Sequence, residues 1–195
     1  IFSASSNPER AFVEACKTME EIAPAVLWFD EIETSISSNS ATASGMLGRI
    51  FGFFLTWMQE KTPGLFVAAT ANRIDLLPAE MLRKGRFDQV FFIDLPTPAE
   101  RVEILKIHLL KREVIPDTLD MELFAKLSDG WTGAEVEQCV IGALVSAQLN
   151  GRSVDNNDLF FSCKQIVPLS KTMKEQMNHI RTWAFERAIR ASSRN

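Results

Sequence analysis

Five consecutive apolar residues, Ala25 to Phe29, run straight into two adjacent carboxylates, Asp30 and Glu31. An unbroken apolar run of this length reads as a parallel strand covered on both faces, because alternation appears where one face meets water. In open α/β sheets ligands gather at the carboxyl ends of the strands, and that is where this pair stands. Two carboxylates there repel each other and lose solvation unless a cation or a reacting water joins them.

The rest of the chain narrows the choice. With 195 residues, 46% of them hydrophobic, it can bury a core as one large domain or two small ones. The three cysteines, Cys16, Cys139 and Cys163, are too widely spaced for a disulfide framework and point to a reducing compartment. The two histidines, His108 and His179, lack ligand spacing and read as structural. A net charge of −4 without a basic stripe argues against nucleic acid as a partner. The residues contain no apolar span of ~20 and no signal peptide, so no membrane partner is expected. The chain starts at Ile1 and reads as a piece of a longer protein.

Asn7-Pro8-Glu9 opens a helix over 8–22, and a strand follows at Ala25–Phe29. The small polar stretch TSISSNSATASG reads as a loop. Leu47, Ile50, Phe51, Phe54, Leu55 and Met58 then share one face of a helix over 46–60. Further strands are expected at Leu65–Ala69 and Val90–Ile93. After Pro98 helices take over: one bearing Val102, Leu105 and Leu109, a short one at Met121–Leu127, one capped by Thr132 and running to Leu149, and a last one over 172–189. Met173, Met177 and Trp183 read as core. The shift in composition divides the chain into an α/β part, residues 1–97, and an all-α part, residues 98–195.

The residues with chemistry fall at the strand ends. Asp30 and Glu31 end the first strand, Asn72 stands just beyond the second, and Arg83 and Arg86 flank Lys84 and Gly85 on a turn before the third. Each has an ordinary explanation when taken alone. Asp30 and Glu31 suit a helix start, Asn72 suits a turn, and the arginines suit surface pairs with Glu80 or Asp88. Together, WFDEIE, ATAN, LRKGRFD and GWTGAEVEQ resemble the Walker B motif, first sensor, second region of homology and lid motif of the AAA clade of AAA+ ATPases. The stretch LLPAEMLRKGRFDQVFFIDLPTPAERVEILKIHL is most similar to a plastid and cyanobacterial branch of that clade with bacterial relatives.

That resemblance implies a fold and a set of roles. The fold is a partial three-layer αβα P-loop NTPase sheet followed by an all-α lid. ATP and Mg²⁺ are the implied cofactors. Asp30 resembles the aspartate that holds Mg²⁺ through water, and Glu31 the base that polarises the attacking water. Asn72 resembles the sensor that orients this water, a task for an amide that both donates and accepts. Arg83 and Arg86 resemble arginine fingers reaching a neighbouring subunit's nucleotide. Gly133 and Ala134 match lid residues that approach the adenine. Self-association into a ring, a hexamer, and an unknown protein client are implied, with a cytoplasmic or, in an alga, plastid stromal location.

Two departures qualify the match. No GxxxxGK[ST] occurs in these residues, so the phosphate loop is expected before Ile1, on a strand between Leu65–Ala69 and Val90–Ile93. The 195 residues alone are expected to be inactive. Where threading members carry an aromatic residue and a glycine, SASSN stands here, which leaves polypeptide threading open. No HExxH is present, which excludes a zinc protease within these residues. The reading is an ATPase that remodels a protein partner; the alternative is a non-hydrolysing scaffold or nucleotide sensor descended from one.

Overall fold

The computed structural model describes residues 7–36, 41–83 and 85–192. The chain divides into two compact units, Ile1–Gln89 and Val90–Asn195. Ile1, Phe2 and most of the SASSN stretch lie outside the described residues, as does Lys84.

In the first unit, Asn7 caps helix α1 (Pro8–Glu21), its side chain accepting from the Arg10 amide at 3.1 Å. A cap of this kind is worth about 1 kcal/mol. Strand β1 (Ala25–Phe29) pairs in parallel with β2 (Leu65–Ala69), in register Ala25 to Leu65 through Phe29 to Ala69. Between them lie α2 (Ile32–Ile36) and α3 (Ala41–Glu60). Residues 34–36 and 41–45 are therefore helical, where the sequence predicts a loop. Alanines favour a helix, and Thr34 turns the chain by donating its hydroxyl to the Glu31 carbonyl at 2.8 Å.

The core of this unit is aromatic. Phe12 meets Phe29, Phe53 and Phe54 at ring separations of 6.1–6.3 Å, and Phe29 meets Phe54 edge-on at 5.3 Å. Such pairs add about 0.5–1.5 kcal/mol each beyond area burial. Only one face of the strand pair is covered among the described residues. Ala25, Leu27 and Phe29 pack on this core, while Val26 (66% exposed), Trp28 (62%) and Phe66 (67%) stand open. The expected burial of both faces thus gives way to the pleat's alternation, since α1 and α3 supply a single layer.

The second unit starts with β3 (Phe91–Phe92) and α4 (Pro98–Leu110). Next come α5 (Met121–Leu127), α6 (Gly133–Leu149) and α7 (Asn156–Gln165). The unit closes with α8 (Leu169–Thr172), α9 (Lys174–Arg187) and β4 (Ile189–Arg190). Thr97 with Glu100, Thr132 with Glu135, and Asp155 with Asp158 form reciprocal caps at the starts of α4, α6 and α7. Leu105, Leu109, Phe124, Trp131, Val136 and Val140 are among the residues of its core. The buried Arg101 spreads its guanidinium over the Ser128 hydroxyl and the Pro96 and Ala125 carbonyls at 2.9–3.0 Å. Cys139 and Cys163, free and buried, converge to 3.4 Å between sulfurs.

The expected last helix over 172–189 differs at both ends. Its first part is the separate turn α8, and Ile189–Arg190 pairs in parallel with β3. The Ile189 amide donates to the Val90 carbonyl at 2.9 Å and the Ala191 amide to that of Phe92 at 3.0 Å. Unpaired backbone groups on β3 are thereby satisfied, which a longer helix could not do. Met173 is exposed and Met177 and Trp183 only half-buried, because Ala184 is the one buried residue of α9.

An ion pair makes this unit acid-sensitive. Asp158 receives both arms of Arg152 at 2.6 and 2.9 Å, the Ser146 hydroxyl at 2.9 Å and the Asp155 amide at 3.1 Å. The Arg152 hydrogen bonds hold its carboxyl down from 3.8 to about 2. A carboxylate with a depressed folded pKa stabilises above its unfolded value and loses that contribution as pH falls through the folded one. Stability should decline as pH drops from 3.8 toward about 2, and Asp158→Asn should remove that part of the decline. Thermal melts across the window check this; an unchanged slope in the variant would reject it.

Candidate functional site

The carboxyl ends of β1 and β2 carry a connected hydrogen-bonded group. Because the strands are parallel and in register, Phe29 and Ala69 end level, and the residues just past each strand meet. Thr70 joins the two segments. Its amide donates to the Phe29 carbonyl at 2.9 Å and its carbonyl accepts from the Ile32 amide at 3.0 Å. Its hydroxyl donates to Asp30 Oδ1 at 2.6 Å and accepts from the Glu31 amide at 2.9 Å.

Glu31 sits at φ 46°, in the left-handed region, a conformation that a glutamate rarely adopts. This turns its side chain away from that of Asp30. Asp30 goes to Thr70, while Glu31 Oε1 accepts from Asn72 Nδ2 at 2.9 Å. The two adjacent acids are thus separated by partner. Both are exposed, and neither forms an ion pair with a basic side chain among the described residues.

This donor set fits a hydrated magnesium ion. Asp30 and Glu31 each use one oxygen on a neutral partner, which leaves hard, anionic oxygen donors at the strand ends. Magnesium is held by one or two carboxylates together with substrate phosphates, not by an all-protein cage.

Two contributors escape a reading of the sequence: Thr70, and Glu33 on the first turn of α2. Glu33 is only 3% exposed. Its Oε1 accepts from the Asn72 amide at 2.8 Å and the Arg73 amide at 3.1 Å, and its Oε2 is buried without a partner. The spacing of the acids in DEIE is the available signal: two residues past Glu31, a carboxylate on the opening turn can reach back to the neighbouring loop.

Arg83 and Arg86 lie on the turns after Pro78. Arg86 donates to the Glu80 backbone carbonyl rather than to its carboxylate, and its Nε is buried without a partner among the described residues. Arg83 is exposed. No hydrogen bond or ion pair connects either arginine to Asp30, Glu31 or Asn72 among the described residues. Gly133 and Ala134 open α6 in the second unit, behind the Thr132 cap. A methyl group at 133 would meet only Ile104 at 3.7 Å, an ordinary contact, so packing within the chain does not require glycine there.

Comparison with known proteins bears on this arrangement. Residues 2–95 match the family model described as ATPase family associated with various cellular activities (AAA). Over 182 residues, 92% of this chain, the sequence is 42% identical to the "Uncharacterized AAA domain-containing protein ycf46" of Pyropia yezoensis, covering 37% of it. It is 32% identical over 154 residues, 73% of the chain, to the ATP-dependent zinc metalloprotease FtsH 1 of Petrotoga mobilis, covering 22% of that protein. The crystal structure of the FIGL-1 AAA domain in complex with ADP superposes with a TM-score of 0.77 at 18% identity. That match covers 94% of this chain and 64% of the other, and at such identity it speaks for the fold alone. The chain spans little more than a third of the length of the ycf46 relatives.

Proposed function

This chain belongs to the AAA family of ATPases, through residues 2–95, and we propose that the group at the ends of β1 and β2 hydrolyses ATP in a ring-forming AAA+ ATPase. The observation that carries the reading is the separation of Asp30 and Glu31 onto Thr70 and Asn72. It leaves one acid for a cation and the other for a water.

In this reading Asp30, steadied by the Thr70 hydroxyl, holds magnesium through its water shell. Bound there, the ion neutralises charge developing on the transferred phosphoryl group. Glu31 takes the proton of the attacking water as general base. Asn72, whose amide already donates to Glu31, turns its carbonyl toward the same water and keeps the base and the nucleophile in line. Arg83 and Arg86 serve as fingers toward a neighbouring subunit's nucleotide, which accords with their lack of bonds to Asp30, Glu31 and Asn72 among the described residues. Gly133 and Ala134 approach the adenine, and the helices from residue 98 onward act as a lid. The ring is a hexamer that remodels a protein client in the cytoplasm or plastid stroma. No helix among the described residues is long and apolar enough to cross a membrane. A non-hydrolysing scaffold would have no use for a glutamate held in the left-handed region against Asn72.

Asp30→Asn tests the split of roles. In a polypeptide that carries these residues together with a phosphate loop, ATP turnover by Asp30→Asn should require about 10-fold more Mg²⁺ for half-maximal rate. A magnesium titration of the rate checks this. A wild-type titration curve in the variant removes Asp30 from the metal site, and the absence of magnesium-dependent turnover in the unmodified polypeptide overturns the ATPase assignment.

A further inference from the structure

Asn72 is fixed at two points. Its side-chain Nδ2 donates to Glu31 Oε1 at 2.9 Å and its backbone amide donates to Glu33 Oε1 at 2.8 Å. The first of these bonds joins two exposed side chains, where water competes on nearly equal terms and the net gain is small. The second is shielded, accepts the next amide as well, and involves a carboxylate, the stronger kind of acceptor. Arg73 commits its side-chain hydrogen bonds to Asp75, a two-pronged pair at 2.7 and 3.0 Å within the loop itself.

The setting of Glu33 has a cost that calls for a reason. A carboxylate that is 3% exposed, with Oε2 lacking a partner among the described residues, is penalised by desolvation. A neutral, apolar residue on the first turn of α2 would avoid this. It would also leave the Asn72 and Arg73 amides without their acceptor and the loop after β2 held by Thr70 and the exposed Asn72–Glu31 bond. We infer that Glu33 is a positioning residue: it brackets the loop after β2 from the end of β1, so that Asn72 meets Glu31 at a set distance. Its catalytic consequence rests on the ATPase reading above; the bracket itself does not.

Two readouts separate these. In Glu33→Ala, hydrogen exchange at the Asn72 and Arg73 amides should speed up about 10-fold or more while the amides of α3 keep their rates. Glu33→Gln, which keeps an acceptor at the same reach, should restore protection. Glu33→Asp, a carboxylate one methylene shorter, should behave like Glu33→Ala with the charge retained. In a polypeptide that also carries a phosphate loop, Glu33→Ala and Glu33→Asp should lower kcat about 100-fold with KM for ATP unchanged, the size of effect expected when a reacting group is displaced by about 1 Å. Glu33→Gln should recover most of that loss. Unaltered exchange at both amides in Glu33→Ala and Glu33→Asp overturns the bracket. A raised KM with kcat intact overturns the positioning role. If the unmodified polypeptide fails to hydrolyse ATP, the ATPase reading falls, and the exchange rates still decide the bracket.

Discussion

Two inactive variants, Glu31→Gln and Arg86→Ala, each made in a polypeptide that carries these residues together with a phosphate loop, should regain ATP hydrolysis when they are mixed before ring assembly. The first lacks the base and keeps its arginine; the second lacks the arginine and keeps its base. In a ring closed by head-to-tail interfaces, about a quarter of the junctions in an equal mixture place an intact Glu31 beside an intact Arg86 from the next subunit. A guanidinium supplied at the developing phosphoryl charge is worth about 10³ to 10⁵ in rate in the GTPase case, roughly 4 to 7 kcal/mol. Recovery at a quarter of the sites would therefore stand far above either component. The structure makes the experiment informative, because Arg86 has no bond to Asp30, Glu31 or Asn72 among the described residues. It donates instead to the Glu80 carbonyl, so nucleotide binding by Arg86→Ala alone serves as the control for a disturbed turn. If mixed rings form and stay inactive, the arginine acts within its own subunit and the shared-site mechanism is wrong.

Glu31→Gln alone carries the second large effect. General bases contribute about 10² to 10⁴ in rate, and glutamine removes the base while keeping the size of the side chain and an oxygen that can accept from Asn72 Nδ2. Turnover should fall by about that factor, whereas nucleotide affinity should change little, because the interaction is made with the attacking water and not with the bound phosphates. Equilibrium binding of a fluorescent nucleotide beside steady-state turnover separates the two. Wild-type turnover in Glu31→Gln would take this residue out of the chemistry. A phenotype identical to that of Asp30→Asn would undo the division of labour proposed from their different partners, Thr70 and Asn72.

Local signals in the chain are legible wherever neighbours along the sequence decide structure. The bounds of β1 and β2 come from apolar runs set between proline, glycine and the first polar residue. The Thr132 cap comes from its hydroxyl and the glutamate three residues on. Helix α7 is not legible in this way, although Asp155 and Asp158 spell the same kind of cap. Its buried residues, Asp158, Leu159, Ser162 and Cys163, mix polar with apolar, while Phe161 on the same helix is exposed. Periodicity alone cannot resolve such a pattern. Ile189, the first residue of β4, reads as the end of the last helix because a two-residue strand is too short to show a pattern of its own. What makes Ile189 and Arg190 a strand is the edge of β3, about a hundred residues away in sequence.

By itself, the sequence determined that two acids and an asparagine would stand past the ends of two strands of an α/β fold, because apolar runs specify strands and each strand delivers the residues after it to one edge of the sheet; Arg83 and Arg86 lie apart from those ends, on the turns after Pro78. Only the tertiary structure decided which partners the acids and the asparagine take. The assignments of Asp30 to Thr70, Glu31 to Asn72 and Glu33 to the Asn72 backbone join residues 39 to 41 positions apart, and they exist because two parallel strands end level. A hydrogen bond depends on separations of a few tenths of an ångström and on direction. Residue type offers the donors and acceptors, and the register between strands selects which of them meet.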